Sequence, residues 1–308
     1  MSEIKIGESG GQNIYERKPE FQDQHMINQS GSEPVSGFSA INLACGGKLC
    51  QEAGWINADH SPSAKDVLKV HLLKPLPFRD NRFDVVYHSQ FIEHLPKDKA
   101  FDFMTECYRI LKPNGVLRVV TPDLQNQAVE YLRKLQVVLH SPNDEGANLR
   151  YEWIRLEMLD QLMRHTSGGD MVGFLAQSGE NIRDYLYQRM GRSGENLIPA
   201  PESAKKVMSI KDIMRFMKCH LVANLNKIVP DLLRVGTFRL SGESHLFMYD
   251  KYLLSILCTK CGFANIEQVS AKESRIPNWD LTLLDCDRHG NPDGQASLFM
   301  EGVKPATK

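Results

Sequence analysis

The sequence predicts an α/β fold built on a mostly parallel sheet, and three observations support this fold class. A strand-like apolar run at 41–44 leads into a glycine turn and a second strand that ends at Asp59. A third run, 83–87, has the length and composition of a strand buried on both faces. Apolar residues then recur at helical spacing before a new strand at 116–120. This alternation indicates parallel strands joined by crossover helices.

Composition narrows the class of protein further. The 308 residues carry a net charge of -1, with 42% hydrophobic and 24% charged residues, which is ordinary for a globular protein with a sizeable core. Without a basic surface to meet a phosphate backbone, nucleic acid is not a predicted partner. No signal peptide and no run of about 18 apolar residues is evident, so we predict a cytoplasmic protein without a membrane span.

Seven cysteines, an odd number in apolar contexts, indicate reduced thiols rather than a disulfide framework. Cys258 and Cys261 form the one close pair, and no second pair or histidine accompanies them. We interpret this pair as the end of a helix. The sequence therefore predicts no metal site.

The glycine turn indicates a ligand that contains adenosine. Gly46 and Gly47 lack a Cβ and allow the backbone to approach a ligand, and Asp59 at the end of the next strand can accept both ribose hydroxyls. A dinucleotide site has a third glycine and an acid about 20 residues further on, whereas Asp59 follows Gly46 by 13 positions. A pyrophosphate is poorly provided for, so S-adenosylmethionine fits better than NAD. The alternative role for Asp59 is a helix N-cap.

Five ordered motifs carry a family resemblance. Segments 43–48 and 54–59 resemble the first motif of class I S-adenosylmethionine-dependent methyltransferases, and 75–87 is similar to their fourth-strand signature. Segments 93–95 and 109–117 are frequent in the ubiquinone/menaquinone-biosynthesis type, the methyltransferase type 11 group. The resemblance covers residues 38–123 and, less specifically, 245–303.

This resemblance implies a Rossmann-like class I methyltransferase fold, with a seven-stranded, mostly parallel sheet and a helical cap inserted after strand five. The polar N-terminal tail is predicted to be disordered, and a lid over the cofactor, as in related enzymes, is the alternative. The predicted parts are the tail 1–37, the cofactor-binding core 38–139 and 245–308, and the helical insertion 140–244 that forms the substrate cap.

The resemblance also implies a set of site residues. His71 stands where related enzymes often have an aspartate that meets the adenine, so a backbone group at His71 or Leu72 is the predicted replacement. His88 follows strand four near the reacting methyl group and is the first choice of general base; closing the strand is its alternative role. The predicted cofactor contacts are Ala44, Cys45, Gly46, Gly47, Asp59, His71, Leu72, His88 and Ser89. The other candidate catalytic histidines are His94, His165 and His245, and the candidate substrate residues are Arg164, Tyr185, Arg192 and Tyr249.

The predicted function is methyl transfer from S-adenosylmethionine to a polar small molecule, with S-adenosylhomocysteine as product. Among related enzymes, O-methylation of a sugar, glycolipid or natural-product intermediate is our first choice. Arginines in the cap suit a substrate carboxylate or phosphate, although a solvated surface is their alternative role. N-methylation of an amine or peptide-like product, a nicotinamide-dependent oxidoreductase and a methyltransferase-like module without turnover remain open.

Overall fold

The computed structural model describes residues 37–191, 231–294 and 296–306, which form one seven-stranded sheet covered by helices. The strands are β1 Ala40–Leu43, β2 Trp55–Asp59, β3 Leu68–Lys69, β4 Phe83–Ser89, β5 Leu111–Pro122, β6 Ala264–Val269 and β7 Ser297–Val303. Their order is β3-β2-β1-β4-β5-β7-β6, and β7 runs antiparallel to both of its neighbours. The predicted seven-stranded, mostly parallel sheet is confirmed.

Eight α-helices are described, and several begin at an aspartate that caps them. Asp123, Asp144 and Asp250 each accept a hydrogen bond from a backbone N–H of the following first turn, which satisfies a donor that the helix leaves unpaired. The helices are α1 Lys97–Ile110, α2 Leu124–His140, α3 Glu145–Met163, α4 Gly169–Ser178, α5 Arg183–Met190, α6 Asp231–Arg239, α7 Lys251–Lys260 and α8 Trp279–Thr282. None of these described helices is both long and apolar enough to cross a bilayer.

The described part of the insertion between β5 and β6 consists mainly of helices joined by short turns. Helices α3, α4, α5 and α6 lie within the predicted cap, 140–244. A further helix that the sequence predicts over 207–221 falls outside the described residues, as does the predicted tail except for Gly37. The division into tail, core and cap stays a prediction.

Residues 112–115 differ from expectation. The sequence predicts a turn there, but β5 already begins at Leu111, and its register with β4 shifts between Phe83 and Val85. Asn114 adopts a φ of 64° and donates its N–H to the Lys304 carbonyl oxygen at 2.8 Å. The turn-forming residues therefore make an irregularity inside the strand, since asparagine tolerates this backbone conformation.

Two apolar clusters cover the two faces of the sheet, and a third belongs to the cap. Alternate residues of the strands point to opposite faces, so Val86 joins the first cluster and Tyr87 the second. The first also holds residues of α1 and α7, and the second residues of α8. The cap cluster consists of Trp153, Leu156, Met171, Leu175, Ile182, Tyr185 and Leu186.

A buried charge network links β5, β7 and the segment before β7. Arg118 is fully buried and donates to Asp285 Oδ2 at 2.8 Å and to Glu301 Oε1 at 2.7 Å. The Tyr87 hydroxyl donates to the other Asp285 oxygen at 2.6 Å, and the guanidinium lies 4.3 Å from the centroid of the Trp279 ring. Each charge is thus paired and hydrogen-bonded, as a buried ion requires.

Candidate functional site

The glycine turn lies where β1 and β2 end side by side. Gly46 has a φ of 53°, in the left-handed region that suits glycine. The Asp59 carboxylate accepts hydrogen bonds from the Gly46 N–H at 2.9 Å and the Ser61 N–H at 2.7 Å. The acid at the tip of β2 is therefore held directly against the turn after β1.

The space beside this turn fits the predicted cofactor. A Cβ added at Gly46 or Gly47 would meet no atom within 4 Å, so the backbone faces an open volume. Asp59 is half-buried, and each of its oxygens keeps a lone pair for a ribose hydroxyl in addition to the backbone bond it accepts. Burial raises the pKa of the neighbouring Cys45 thiol to about 11, which keeps this thiol protonated and unreactive.

The end of β3 brings the predicted adenine residues to the same edge. The Val70 N–H donates to the Asp59 carbonyl oxygen at 2.9 Å, which sets β3 beside β2. His71 is exposed and meets the ring of His60 edge to face at 5.1 Å, whereas Leu72 is buried. The buried Leu72 and the exposed His71 thus come just after the strand that pairs with Asp59.

His88 does not face this edge of the sheet. It is fully buried, its ring lies 5.1 Å from that of Phe103 in α1, and neither ring nitrogen has a hydrogen-bond partner among the described residues. Burial lowers the pKa of His88 to about 3, so the ring is neutral at physiological pH. We therefore correct the sequence-based choice: His88 cannot reach an acceptor as a general base. Ser89, the next residue, lines a cavity at this edge.

A cavity of about 350 Å³ lies between the carboxyl ends of β4 and β5 and the cap helices α3 and α4. Lys48, which directly follows the glycine turn, reaches this cavity and pairs with Asp293 at 2.9 Å. Ligands of open α/β sheets bind at this edge. Its wall includes Ser89, Gln90, Pro122, Gln161, Met171 and Leu175.

The candidate substrate residues are spread over several environments. Arg164 lines this cavity, but Tyr185 lines a separate one of about 530 Å³ beside α2. Tyr249 packs in the core beneath the sheet, its ring 4.9 Å from Phe247, so we correct its expected substrate role. Exposed His165 follows α3, and Arg192 lies outside the described residues.

Comparison with known proteins supports the same family. The methyltransferase domain family model matches residues 51–119. A Mycolicibacterium smegmatis protein described as a probable S-adenosylmethionine-dependent methyltransferase is 49% identical over 51 residues, 17% of this chain and 19% of its own. The Rhizobium etli ubiquinone biosynthesis O-methyltransferase is 26% identical over 113 residues, 30% of this chain and 45% of its own. Residues 51–119 therefore match a methyltransferase domain, and both relatives are named as methyltransferases.

The cofactor of this methyltransferase family is S-adenosylmethionine, and the open glycine turn with Asp59 suits it. The chain spans less than half the length of either relative, so its acceptor is a separate question. A solved S-adenosylmethionine-dependent methyltransferase from Archaeoglobus fulgidus aligns with 87% of this chain and 87% of its own at 13% identity and a TM-score of 0.35. A likeness at that score carries no argument about activity.

Two of the candidate catalytic histidines, His94 and His245, lie next to each other beside the cavity. The rings of His94 and His245 stack edge to face at 4.7 Å, and Glu93 lies next to them. Burial lowers the pKa of His94 and brings that of His245 to about 3, and it raises the pKa of Glu93 to about 8. Both histidines are therefore neutral, which suits a proton acceptor or a ligand but gives no cation for an anionic substrate.

Sequence reasoning missed several cavity residues of the methyltransferase. Lys48 carries a signal, because it directly follows the glycine turn. Asp285 and Asp293 carry no such signal in the sequence, because they lie before β7 in a segment without a motif. They reach the cavity only through tertiary folding. Gln90 follows β4 with a φ of 52°, a conformation that its residue type does not predict.

Proposed function

We propose that this chain transfers the methyl group of S-adenosylmethionine to a hydroxyl oxygen of a polar, uncharged small molecule bound in the 350 Å³ cavity. The observation that carries the proposal is that Lys48, the residue directly after the glycine turn, also lines this cavity. The cavity lies at the carboxyl ends of β4 and β5, the edge of the sheet at which ligands of such folds bind. The name of the Rhizobium etli relative, an O-methyltransferase, supports oxygen as the acceptor.

The charges of the cavity favour an uncharged acceptor. Its wall contains three cations and three carboxylates: Lys48, Arg164 and Arg189 against Glu157, Asp285 and Asp293. Within the described residues, each of these cations is paired with a carboxylate. A substrate phosphate or carboxylate would have to displace one of these partners, whereas hydroxyl groups can bond to them as they stand. This favours a sugar, glycolipid or natural-product intermediate.

Positioning is the main contribution of the protein to this reaction. The bound cofactor supplies a methyl group on a positively charged sulfur. The acceptor oxygen provides the electron pair of the new C–O bond, the C–S bond breaks, S-adenosylhomocysteine leaves and the hydroxyl proton passes to water. In this proposal Asp59 holds the ribose, and the cap helices α3 and α4 orient the acceptor.

Calorimetry followed by turnover tests the proposal. We expect S-adenosylmethionine and S-adenosylhomocysteine to bind, and NAD not to bind, because the site provides for ribose but not for a pyrophosphate. NAD binding tighter than both would contradict the proposal and favour an oxidoreductase.

Turnover is then measured as S-adenosylhomocysteine release with matched acceptors: glycosides, the same glycosides carrying a phosphate, and primary amines. The neutral glycosides are expected to be the best acceptors. Faster release with amines would indicate N-methylation, and cofactor binding without release for every acceptor would indicate a module without turnover. Asp59→Ala is the control that weakens cofactor binding.

A further inference from the structure

Glu93, His94 and His245 form a cluster of metal-ligating side chains that methyl transfer does not by itself require. One ligand atom from each residue can be chosen so that all three atoms lie within 4.8 Å of one another. Glu93 and His94 belong to the short helical turn after β4, and His245 belongs to the segment before α7. The fold thus brings His245 next to residues more than 150 positions earlier in the chain.

The carboxylate of Glu93 is half satisfied. The residue is fully buried, and the Thr121 hydroxyl donates to its Oε2 at 3.0 Å. Its Oε1 has no hydrogen-bond partner among the described residues. Because an unpaired buried carboxylate oxygen is costly, each such atom calls for an explanation. A cation between Glu93 and the two imidazoles supplies one.

Outer contacts hold the ligands in place. The Nδ1 of His94 lies 3.2 Å from the Ser244 carbonyl oxygen, an acceptor, which places a hydrogen on Nδ1. Metal-binding histidines are typically oriented by this kind of bond. Beside it, the N–H groups of Leu246 and Phe247 both donate to the Glu93 carbonyl oxygen, at 2.8 and 3.1 Å. These bonds fix the segment of His245 against the turn of Glu93.

We propose that Glu93, His94 and His245 bind one divalent transition-metal ion, such as Zn²⁺ or Mn²⁺, and leave at least one coordination position open. Two imidazoles and one carboxylate form a known set for zinc sites with an open position and for 2-His-1-carboxylate sites. Mg²⁺ and Ca²⁺ prefer sites made only of oxygen. The proposal departs from the sequence analysis, which predicted no metal site.

The geometry needs only a small adjustment. Ligands bound at 2.0 to 2.2 Å around zinc are roughly 3.4 Å apart, so side-chain rotations of about an ångström bring the three atoms into range. Arg164 is the cation nearby, and its charge is balanced by Asp160 at 2.9 Å and Glu243 at 3.4 Å. The paired Arg164 therefore adds no net repulsion for a cation bound at the cluster.

The site lies beside the substrate cavity. The His245 N–H donates to the Gln161 carbonyl oxygen at 3.0 Å, and both Gln161 and Arg164 line the cavity. A metal ion with an open position can bind the acceptor hydroxyl and lower its pKa, which replaces the general base that His88 cannot provide. This catalytic role rests on the proposed function, whereas metal binding does not.

Metal titration of the full chain tests the proposal without any acceptor. The protein is stripped with a chelator and titrated with Mn²⁺, which avoids thiolates, and with Co²⁺, whose absorption reports its ligands. We expect one equivalent to bind. Glu93→Gln, His94→Gln and His245→Gln should each weaken binding more than tenfold, and His140→Gln, an exposed histidine on α2, should bind as the wild type does. Circular dichroism checks that each variant is folded.

The outcomes separate the two proposals. Absence of binding to the folded wild type, or equal binding in all three cluster variants, would overturn the metal site. S-adenosylhomocysteine affinity, measured in the same samples, tests cofactor binding independently. A metal-binding protein with no methyl transfer to any acceptor would retain the site and reject its catalytic role.

Discussion

At the scale of single residues, Asp59 has the most direct consequence for cofactor binding. Its carboxylate lies against Gly46 at the open side of the glycine turn. We propose Asp59 as the charged acceptor of two ribose hydroxyls, so Asp59→Ala should weaken S-adenosylhomocysteine binding by about 1.5 to 3 kcal/mol. Calorimetry measures this change.

The matched control is Asp102→Ala, which removes an exposed carboxylate of α1 whose partner is Lys99. Its affinity for S-adenosylhomocysteine should equal that of the wild type. An Asp59→Ala protein with wild-type affinity would mean that the ribose binds elsewhere.

His88 makes the stability depend on pH, although it does not act on an acceptor. The unfolded chain protonates this ring below about pH 6.5, whereas the folded chain does so only near pH 3, its lowered pKa. The unfolded state therefore binds more protons in this window, and the free energy of unfolding falls as the pH drops, by up to about 1.4 kcal/mol per pH unit. His88→Leu should lose this component.

Denaturant unfolding of wild type and His88→Leu between pH 4 and pH 7.5 measures the difference in slope. His140→Gln, on an exposed surface of α2, should keep the wild-type slope. Equal slopes in wild type and His88→Leu would show that the ring is protonated in the folded state.

The orientation of His88 was beyond the reach of the sequence. Helices cover both faces of a parallel sheet, so its strands are continuous apolar runs in the sequence. Such a run does not show toward which face of the sheet a given side chain points. His88 and Tyr87 point to opposite faces, and both are fully buried. The glycine turn, in contrast, was predictable because glycine and aspartate at this spacing have a local physical meaning.

At the scale of secondary-structure elements, the Arg118 network ties β5 to β7 and to Asp285. Removing the guanidinium leaves Asp285 and Glu301 as uncompensated buried charges, so Arg118→Met should lower the free energy of unfolding by about 3 to 5 kcal/mol. Lys112 lies on β5, as Arg118 does, and forms a half-exposed ion pair with Asp84 of β4. Lys112→Ala breaks this pair and should lower the free energy of unfolding by less than about 1 kcal/mol.

Chemical denaturation of the two variants provides the comparison. Equal losses would mean that the buried network contributes no more than a surface pair.

Elements were more predictable than the contacts between them. The runs at 83–87 and 116–120 and the helix before Gly262 are visible because their apolar spacing repeats locally. The partners of Arg118 are 167 and 183 residues away, and no local pattern relates such distant positions. The same separation hid the meeting of Glu93 with His245.

At the scale of the whole molecule, the apolar core is divided, since the cap has a cluster of its own. Leu186 is fully buried in that cluster, so Leu186→Ala should cost about 2 to 5 kcal/mol locally and speed hydrogen exchange in α3, α4 and α5. S-adenosylhomocysteine affinity should remain close to that of the wild type, because the glycine turn belongs to the sheet.

Leu43→Ala is the matched change beneath the glycine turn, where Leu43 is also fully buried. It should speed exchange throughout the sheet and weaken cofactor binding. If Leu186→Ala loosened the sheet to the same extent, the cap and the core would form a single cooperative unit.

The position of β7 also constrains the order in which the polypeptide can fold as it is synthesised. Ribosomes release β1 to β6 before residues 297–303, yet β7 is the strand that fills the gap between β5 and β6. Within the described residues β6 pairs with β7 alone. Before β7 is synthesised, β6 therefore has no neighbour in the sheet, and β5 has one unpaired edge. A nascent chain can therefore complete its cofactor turn early while it still exposes an edge open to aggregation, and its last strand closes that edge.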